Sequence, residues 1–104
     1  MRILEYLDAV GSSPFAGWFG RLDPIAAAKV TIALARMEQG HLSNAKGVGG
    51  GLFEYRIDFG PGYRIYFGRD GNVLIILLAG GTKQRQRQDI ATAQARWMDY
   101  KRRK

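Results

Sequence analysis

Two arginines stand in the middle of two strand-like segments within the stretch EYRIDFGPGYRIY, residues 54–66. Arg56 and Arg64 flank a Gly-Pro-Gly sequence at 60–62, which is typical of a turn between strands. The guanidinium group keeps its charge at neutral pH, and its planar set of N–H donors matches the oxygens of a phosphate. The two arginines are therefore candidate ligands for a substrate that carries phosphate.

The alternation of apolar and polar residues predicts how this hairpin pairs. A three-residue loop at 60–62 would place Asp58 opposite Arg64 and Arg56 opposite Tyr66, and it would keep the large apolar side chains on one face. The other face then forms a cationic and phenolic patch on the outer side of the sheet, made of Glu54, Arg56, Asp58, Arg64 and Tyr66. Ordinary cross-strand ion pairs, Arg64 with Asp58 and Arg56 with Glu54, are the alternative interpretation.

A second candidate phosphate site follows the most apolar segment of the chain. The sequence GGTK at 80–83 combines free backbone amides at a strand exit with the ammonium group of Lys83. Its spacing is not that of a Walker loop, and a glycine-rich strand exit without a ligand is the alternative. Arg85, Arg87 and the C-terminal KRRK lie beyond it and favour a polyanionic partner.

The residue types argue against metal and triad chemistry. His41 is the only histidine, cysteine is absent, and the carboxylates are scattered along the chain. We therefore expect no metal site, no disulfide and no Ser-His-Asp arrangement.

Positive charge is concentrated near the C-terminus of this chain of 104 residues, whose net charge is +7. Residues 81–104 hold eight Lys or Arg against two Asp, which leaves a balance of +6 on that segment. Such a segment is typical of proteins that bind nucleic acid or an acidic protein, although a solvated helix face with a frayed tail would look the same. No apolar run approaches the length of a membrane span and no signal peptide is evident, so a cytoplasmic protein is expected.

The remaining pattern predicts one α+β domain over residues 1–104. A strand at 2–7 precedes a short helix opening at Pro14 and a longer helix from Asp23-Pro24 to Gln39-Gly40. In the longer helix the apolar residues at helical spacing are Ile25, Ala28, Ile32 and Ala35.

A loop at 41–51 is expected to lead into three antiparallel strands. They span 53–59, 63–67 and 73–79, and the third lacks alternation, which predicts burial on both faces before it ends at Gly80-Gly81. A C-terminal helix follows, and its apolar stripe consists of Ile90, Ala93, Trp97 and Tyr100.

The hairpin and the GGTK segment together resemble the RelE/ParE/HigB toxin superfamily. The matching sequences are GLFEYRIDFGPGYRIYFGRDG and ILLAGGTKQRQRQDIATA, and the resemblance extends from EYLD and SPFAGWF to ARWMDYKRRK. The branch that the chain resembles most is the HigB-like, phage-derived group of addiction module killer proteins. The resemblance implies a RelE-like fold, in which a strand, two helices, three antiparallel strands and a C-terminal helix build a sheet flanked by helices.

The resemblance also implies a type II toxin. RelE- and HigB-like members are ribosome-dependent mRNA endonucleases that need no metal or other cofactor, and their 2′-hydroxyl attack requires a stabiliser of the negative phosphorane and a proton acceptor. Arg56 and Arg64 would stabilise the phosphorane, and Lys83 would hold the phosphate. Tyr66 would stack on an unpaired base, or would exchange a proton if neighbouring cations lowered its pKa.

Further residues would bind the RNA, namely His41, Lys46, Arg85 and Arg87. Several RelE-type members place a catalytic tyrosine or histidine near the C-terminus, but Tyr100 lies on the apolar stripe, so the general base stays open. A cognate antitoxin, which could carry a helix-turn-helix, is expected to form a hetero-oligomer with the toxin and to cover its basic face.

Two other functions stay open on the same scaffold. A ParE-like chain would inhibit DNA gyrase, with the basic C-terminal helix as its protein-binding element. A non-toxic relative would bind nucleic acid without cleaving it.

Overall fold

The computed structural model describes all 104 residues and has the predicted α+β fold. The elements are β1 (Arg2–Glu5), α1 (Pro14–Gly20), α2 (Pro24–Glu38), β2 (Ala45–Gly49), β3 (Leu52–Ile57), β4 (Tyr63–Asp70), β5 (Leu74–Thr82) and α3 (Gln86–Arg103). A short 3₁₀ turn, Lys83–Arg85, joins β5 to α3. No helix is long and apolar enough to cross a membrane.

The strands form one mixed sheet in the order β1-β5-β4-β3-β2. β1 runs parallel to β5, whereas the other three pairs are antiparallel. A parallel pair needs a long connection between its strands. Here α1, α2 and the β2–β4 strands make up that connection.

The helices that precede the sheet begin as predicted. Asp23 accepts a hydrogen bond from the amide of Ala26 at 2.9 Å at the start of α2, and Pro24 is its first residue. Ser13 caps α1 in the same way, by accepting from the amide of Ala16 at 3.0 Å. These side chains satisfy amides that have no partner inside the helix.

β2 lies within the segment that was predicted to be a loop. Lys46 pairs with Glu54, and Gly47 pairs with Phe53 on β3. The sequence AKGVG has weak intrinsic preference for a strand, because glycine has no side chain to pack. The formation of this edge strand therefore depends on its pairing with β3, because the local sequence does not favour a strand.

Each face of the sheet has its own apolar core. Helices α1 and α2 cover one face, where the buried residues are Phe15, Val30, Ala33, Met37, Tyr55, Ile65, Phe67, Ile75 and Leu77. Helix α3 covers the other face, where they are Tyr6, Leu52, Tyr66, Ile76, Leu78, Ala79, Ala93 and Trp97. The predicted burial of β5 on both faces is confirmed.

β5 continues to Thr82, past its predicted end at Gly80-Gly81. A Cβ atom at Gly80 would overlap the indole of Trp18, and one at Gly81 would overlap the carboxylate of Asp89. The two glycines therefore let side chains from α1 and α3 lie directly on the strand, and they do not terminate it.

The predicted apolar stripe is correct for one of the two long helices and wrong for the other. On α3 the prediction is confirmed, since Ala93 and Trp97 are buried and the rest of the stripe packs beside them. On α2 the stripe is wrong, because Ile25 is 63% exposed and Ile32 is 50% exposed. The residues of α2 that face the sheet are Ala26, Val30, Ala33 and Met37. This helix carries two apolar stripes, and the sequence pattern alone does not decide which one packs.

The β3–β4 hairpin pairs two residues away from the predicted register. Arg56 faces Arg64, and Glu54 faces Tyr66. The connection is longer than three residues, with Gly60 at φ 56° and Gly62 at φ 81°, which are left-handed conformations that glycine tolerates. Because the shift is an even number of residues, every side chain keeps its predicted face.

Candidate functional site

Four of the predicted site residues meet at the end of the sheet next to the β3–β4 turn. Arg56 and Arg64 face each other on β3 and β4, and Lys46 on β2 lies two residue pairs away on the same sheet face. The amide of Lys83 donates to the carbonyl of Gly62 at 2.8 Å, which ties the 3₁₀ turn to the β3–β4 turn. We call the set Lys46, Arg56, Arg64 and Lys83 the cationic end.

Three members of the cationic end are open to solvent. Lys46, Arg56 and Lys83 are exposed, and none of them has a carboxylate within 4.0 Å. Like charges that face each other directly across two strands destabilise a sheet. The Glu54 carboxylate, 3.5 Å from Arg64, offsets that repulsion, whereas Lys46, Arg56 and Lys83 have no counter-charge, so this end of the sheet is suited to binding a phosphate.

Arg64 differs from the other three because it is only 6% exposed. Its Nε atom lies 3.5 Å from Oε1 of Glu54, which is fully buried. The Glu54 carboxylate also accepts from Nε2 of Gln86 at 2.7 Å, and Nη1 of Arg64 lies 3.4 Å from the carbonyl of Gly62. The alternative interpretation paired Arg64 with Asp58 and Arg56 with Glu54, and neither of these ion pairs forms. Arg64 pairs with Glu54 instead, and Arg56 and Asp58 form no ion pair.

The expected patch on the outer side of the sheet is wrong for three of its five members. Glu54, Arg64 and Tyr66 are buried, because α3 covers this face. The apolar stripe of α3 was the signal that could have revealed this, since such a stripe needs an apolar surface to pack against. Arg56 and Asp58 remain exposed beyond the start of α3.

Neither role predicted for Tyr66 fits its surroundings. The side chain is fully buried, and its hydroxyl has no hydrogen-bond partner within the protein. Burial raises the pKa of Tyr66, and the negative charges of Glu54 and Asp89 raise it further, against the lowering effect of Arg64. The ring therefore has no open face for a base, and the phenol holds its proton.

The residues predicted to bind RNA are all exposed but lie in different places. Lys46 belongs to the cationic end, and Arg85 follows Lys83 in the 3₁₀ turn. Arg87 lies in the first turn of α3. His41 lies between α2 and β2, where its amide donates to the carbonyl of Arg36 at 2.9 Å.

A cavity of about 370 Å³ opens at the cationic end, beside β2 and β3. It is lined by Ser43, Asn44, Ala45, Lys46, Arg56 and Asp58. Asp58 is the only carboxylate in that lining, so it is the one group there that could accept a proton. Sequence reasoning treated Asp58 only as an ion-pair partner and missed this position. No three His, Cys, Asp or Glu side chains are grouped closely enough to hold a metal ion.

The basic C-terminus folds against the rest of the chain. Nη2 of Arg103 donates to the carbonyl of Leu7 at 2.6 Å, and Nζ of Lys104 lies 2.6 Å from the carboxylate of Asp70. Asp99 pairs with Arg102 at 3.2 Å and with Arg103 at 2.5 Å. Much of the charge in the KRRK sequence is therefore balanced within the chain.

Comparison with known proteins identifies a relative of the chain. An uncharacterized protein of Haemophilus influenzae is 41% identical to the chain over 80 residues, which cover 76% of this chain and 81% of that protein. No model of a known protein family matches the chain.

Proposed function

The chain belongs to one family with the uncharacterized Haemophilus influenzae protein, and on that premise we propose that it is the toxin of a type II toxin–antitoxin system. In this proposal it is an mRNA endonuclease that acts on the ribosome without a metal. The resemblance of its hairpin and GGTK segments to RelE/ParE/HigB toxins supports the assignment. The proposed fold is a RelE-like variant, in which β1 and β2 flank the antiparallel strands β5, β4 and β3.

One observation carries the proposal, namely that Arg56 faces Arg64 at an open end of the sheet. No carboxylate lies within 4.0 Å of Arg56, so its N–H donors are available to a ligand. Lys46 lines the same cavity, and the bond between Lys83 and Gly62 keeps the 3₁₀ turn nearby. These charges suit a phosphodiester, whose negative charge increases as the 2′-oxygen attacks.

In the proposed reaction the 2′-oxygen of the RNA forms a bond to phosphorus, and the bond from phosphorus to the 5′-oxygen breaks. The products are a 2′,3′-cyclic phosphate and a free 5′-hydroxyl. Asp58 accepts the 2′-hydroxyl proton, and a water molecule gives a proton to the leaving 5′-oxygen. Arg56 binds the non-bridging oxygens and Lys83 holds the phosphate, while Arg64, buried against Glu54, supports the strand beneath them. Tyr66 has no part in this mechanism.

The proposed partners follow from the charges. Messenger RNA and the ribosome are polyanions, and they place the proposed action in the cytoplasm. A cognate antitoxin, of the helix-turn-helix type in our proposal, forms a hetero-oligomer with the chain and covers the cationic end. Its contacting segment is then expected to carry acidic side chains.

The test is the fate of RNA and DNA after brief induced expression. New 5′ ends on mRNA and the integrity of a plasmid are mapped in the same cells, for the wild type and for Arg56→Ala. Arg2→Ala is the matched control, since Arg2 is an exposed and unpaired arginine at the other end of β5. The expected result is new ends inside translated frames that are lost in Arg56→Ala, kept in Arg2→Ala and blocked when ribosomes are halted.

Two other outcomes would overturn the proposal. Intact mRNA with broken or supercoil-altered DNA would assign the chain to the gyrase inhibitors. Intact RNA and DNA in cells that keep growing would make it a non-toxic relative.

A further inference from the structure

A second cleft lies between α1 and α3, at the open edge of β5. β1 pairs with β5 only as far as Leu77, so the last part of β5 has no neighbouring strand on that side. The cleft has a volume of about 450 Å³, which is in the range of sites for small ligands. The polar and aromatic side chains that line it are those of Trp18, Arg21, Thr82, Arg85, Asp89, Thr92 and Arg96.

Three of these side chains are arginines without an ion-pair partner. Arg21 ends α1, Arg85 lies in the 3₁₀ turn, and Arg96 lies on α3; no carboxylate comes within 4.0 Å of any of them. Arg96 is held in place because its Nη1 donates to the carbonyl of Leu78 at 2.8 Å. Three unpaired guanidinium groups around one cleft are suited to a phosphate group.

The only carboxylate in the cleft lacks a donor. Oδ2 of Asp89 is buried, and no group of the protein donates a hydrogen bond to it. The carboxylate lies against Gly81, where a Cβ atom would overlap it, so the strand itself makes room for this position. A buried carboxylate oxygen without a donor is costly. Oδ2 itself is covered by the protein, but the Asp89 side chain lines the cleft, where a ligand hydroxyl or amine could donate to the carboxylate.

The third feature is aromatic. The indole of Trp18 lies on Gly80 and forms one wall of the cleft. Indole rings stack on nucleobases with little dependence on base identity. The cleft therefore offers a partner for each part of one nucleotide. The guanidinium groups can bind the phosphate, the carboxylate can accept from a hydroxyl or amine, and the indole can stack on the base.

We propose that this cleft binds one nucleotide of a single-stranded RNA, with its phosphate on Arg21 and Arg85, its base beside Trp18, and a ribose hydroxyl or base amine donating to Asp89. The 3₁₀ turn connects the cleft to the cationic end, because it carries both Arg85 and Lys83. The choice of RNA among nucleotide-containing ligands rests on the proposed function. The inference that the cleft binds a nucleotide does not depend on the proposed function.

The two tryptophans allow a direct test with the full chain. Trp97 is an internal control, because its Nε1 donates to the carbonyl of Gly50 at 3.0 Å under α3, outside the cleft. The ¹⁵N-labelled chain carrying Arg56→Ala, which is expected not to cleave RNA, is titrated with adenosine 3′,5′-bisphosphate and, separately, with inorganic phosphate. The indole signal of Trp18, assigned by its loss in Trp18→Phe, should shift and saturate with the nucleotide, while that of Trp97 stays in place.

Variants then locate the phosphate. Arg21→Ala should weaken binding of the nucleotide roughly tenfold, as expected for one charge-assisted hydrogen bond. Arg2→Ala should leave it unchanged. Inorganic phosphate, which has no base, should bind more weakly and should shift the backbone signal of Thr82 with less effect on the Trp18 indole.

The inference is overturned if the Trp18 indole does not respond to millimolar nucleotide. It is also overturned if Arg2→Ala weakens binding as much as Arg21→Ala, which would mean diffuse attraction to a basic protein. The readout is independent of cleavage. If mRNA stays intact in cells but the Trp18 signal shifts, the endonuclease proposal is rejected and nucleotide binding by the cleft is supported. If mRNA is cleaved but the Trp18 signal does not shift, the endonuclease proposal is supported and nucleotide binding by the cleft is rejected.

Discussion

Arg56 and Arg64 are direct cross-strand partners, yet Arg56 is exposed and unpaired whereas Arg64 is buried against Glu54. The difference arises because Gln86, the first residue of α3, reaches Glu54 beside Arg64, whereas Arg56 near the end of β3 stays exposed. The two arginines look equivalent in sequence, but their substitutions should have different effects. Substitution of Arg56 should weaken ligand binding, and substitution of Arg64 should lower the stability of the fold.

We expect Arg56→Ala to lose activity without losing stability. Removing a charged donor to the developing phosphorane should lower the cleavage rate by about 10² or more. The free energy of unfolding should change by less than about 0.5 kcal/mol, since the side chain is exposed and has no partner. Rates of appearance of new mRNA ends and urea unfolding measure the two quantities. An equal loss in Arg2→Ala would show that only overall charge matters.

Arg64→Ala should instead destabilise the fold, by about 3–5 kcal/mol, because the buried Glu54 carboxylate would lose its counter-charge. Combining Arg64→Ala with Glu54→Gln should recover much of that loss, since the double variant leaves no unpaired charge at this position. A double-mutant cycle in urea measures the coupling. If the two single changes are additive, the 3.5 Å ion pair contributes nothing and our interpretation of it fails.

Tyr66→Phe should be tolerated. The hydroxyl of Tyr66 is buried without a partner, so its removal should leave the free energy of unfolding unchanged or raise it by up to about 1 kcal/mol. The cleavage rate should also stay unchanged. A large fall in rate with normal stability would return Tyr66 to the catalytic group.

Asp89 should make stability depend on pH in a way that Asp89→Asn removes. Burial raises the pKa of Asp89 above its ordinary value, although Arg85 and Arg96 act in the opposite direction. Between the unfolded and the folded pKa the folded chain binds more protons, so this group lowers stability as the pH rises through that window. Asp89→Asn should therefore be more stable than the wild type at pH 7.

The advantage of Asp89→Asn should vanish below the unfolded pKa, about 3.9, where the wild-type carboxyl is protonated in both states. Urea unfolding of both proteins at a series of pH values gives the difference directly. A difference that grows as the pH falls would show that the pKa shift has the opposite sign.

Gly68→Ala should disturb the packing of α3 on the sheet. A Cβ atom at Gly68 would overlap the indole of Trp97, and overpacking of this kind costs about 1–3 kcal/mol. Gly20→Ala is the matched control, because nothing lies within 4 Å of its new methyl group. Thermal unfolding should show a lower midpoint for Gly68→Ala alone. Equal midpoints would mean that Trp97 moves aside at little cost.

Local features of the fold could be predicted from the sequence. The caps at Ser13 and Asp23 and the stripe of α3 depend on residues a few positions apart, and all of them form as expected. Features that depend on distant partners could not be predicted. β2 exists because it pairs with β3, and α2 presents Val30 rather than Ile32 because of the sheet surface that it meets.

The candidate site shows the same division. Residue type placed Arg56 and Lys83 among the candidate site residues, and the even register shift leaves Arg56 on its predicted face. The burial of Tyr66 was not predictable from its strand, because period-two alternation does not reveal whether a helix covers the polar face. The cleft at Asp89 was also missed, since its residues come from α1, β5 and α3 and are adjacent only in the folded chain.

The parallel pairing of β1 with β5 has a consequence for folding. The first strand pairs with a segment far along the chain, with Arg2 opposite Leu74. Helix α3 follows that segment, and Arg103 must reach the carbonyl of Leu7 to complete the contacts of the N-terminal segment. Contacts this distant along the chain slow folding, because a long loop must close before they form. This edge of the sheet therefore forms only after residues 74–77 are available to β1.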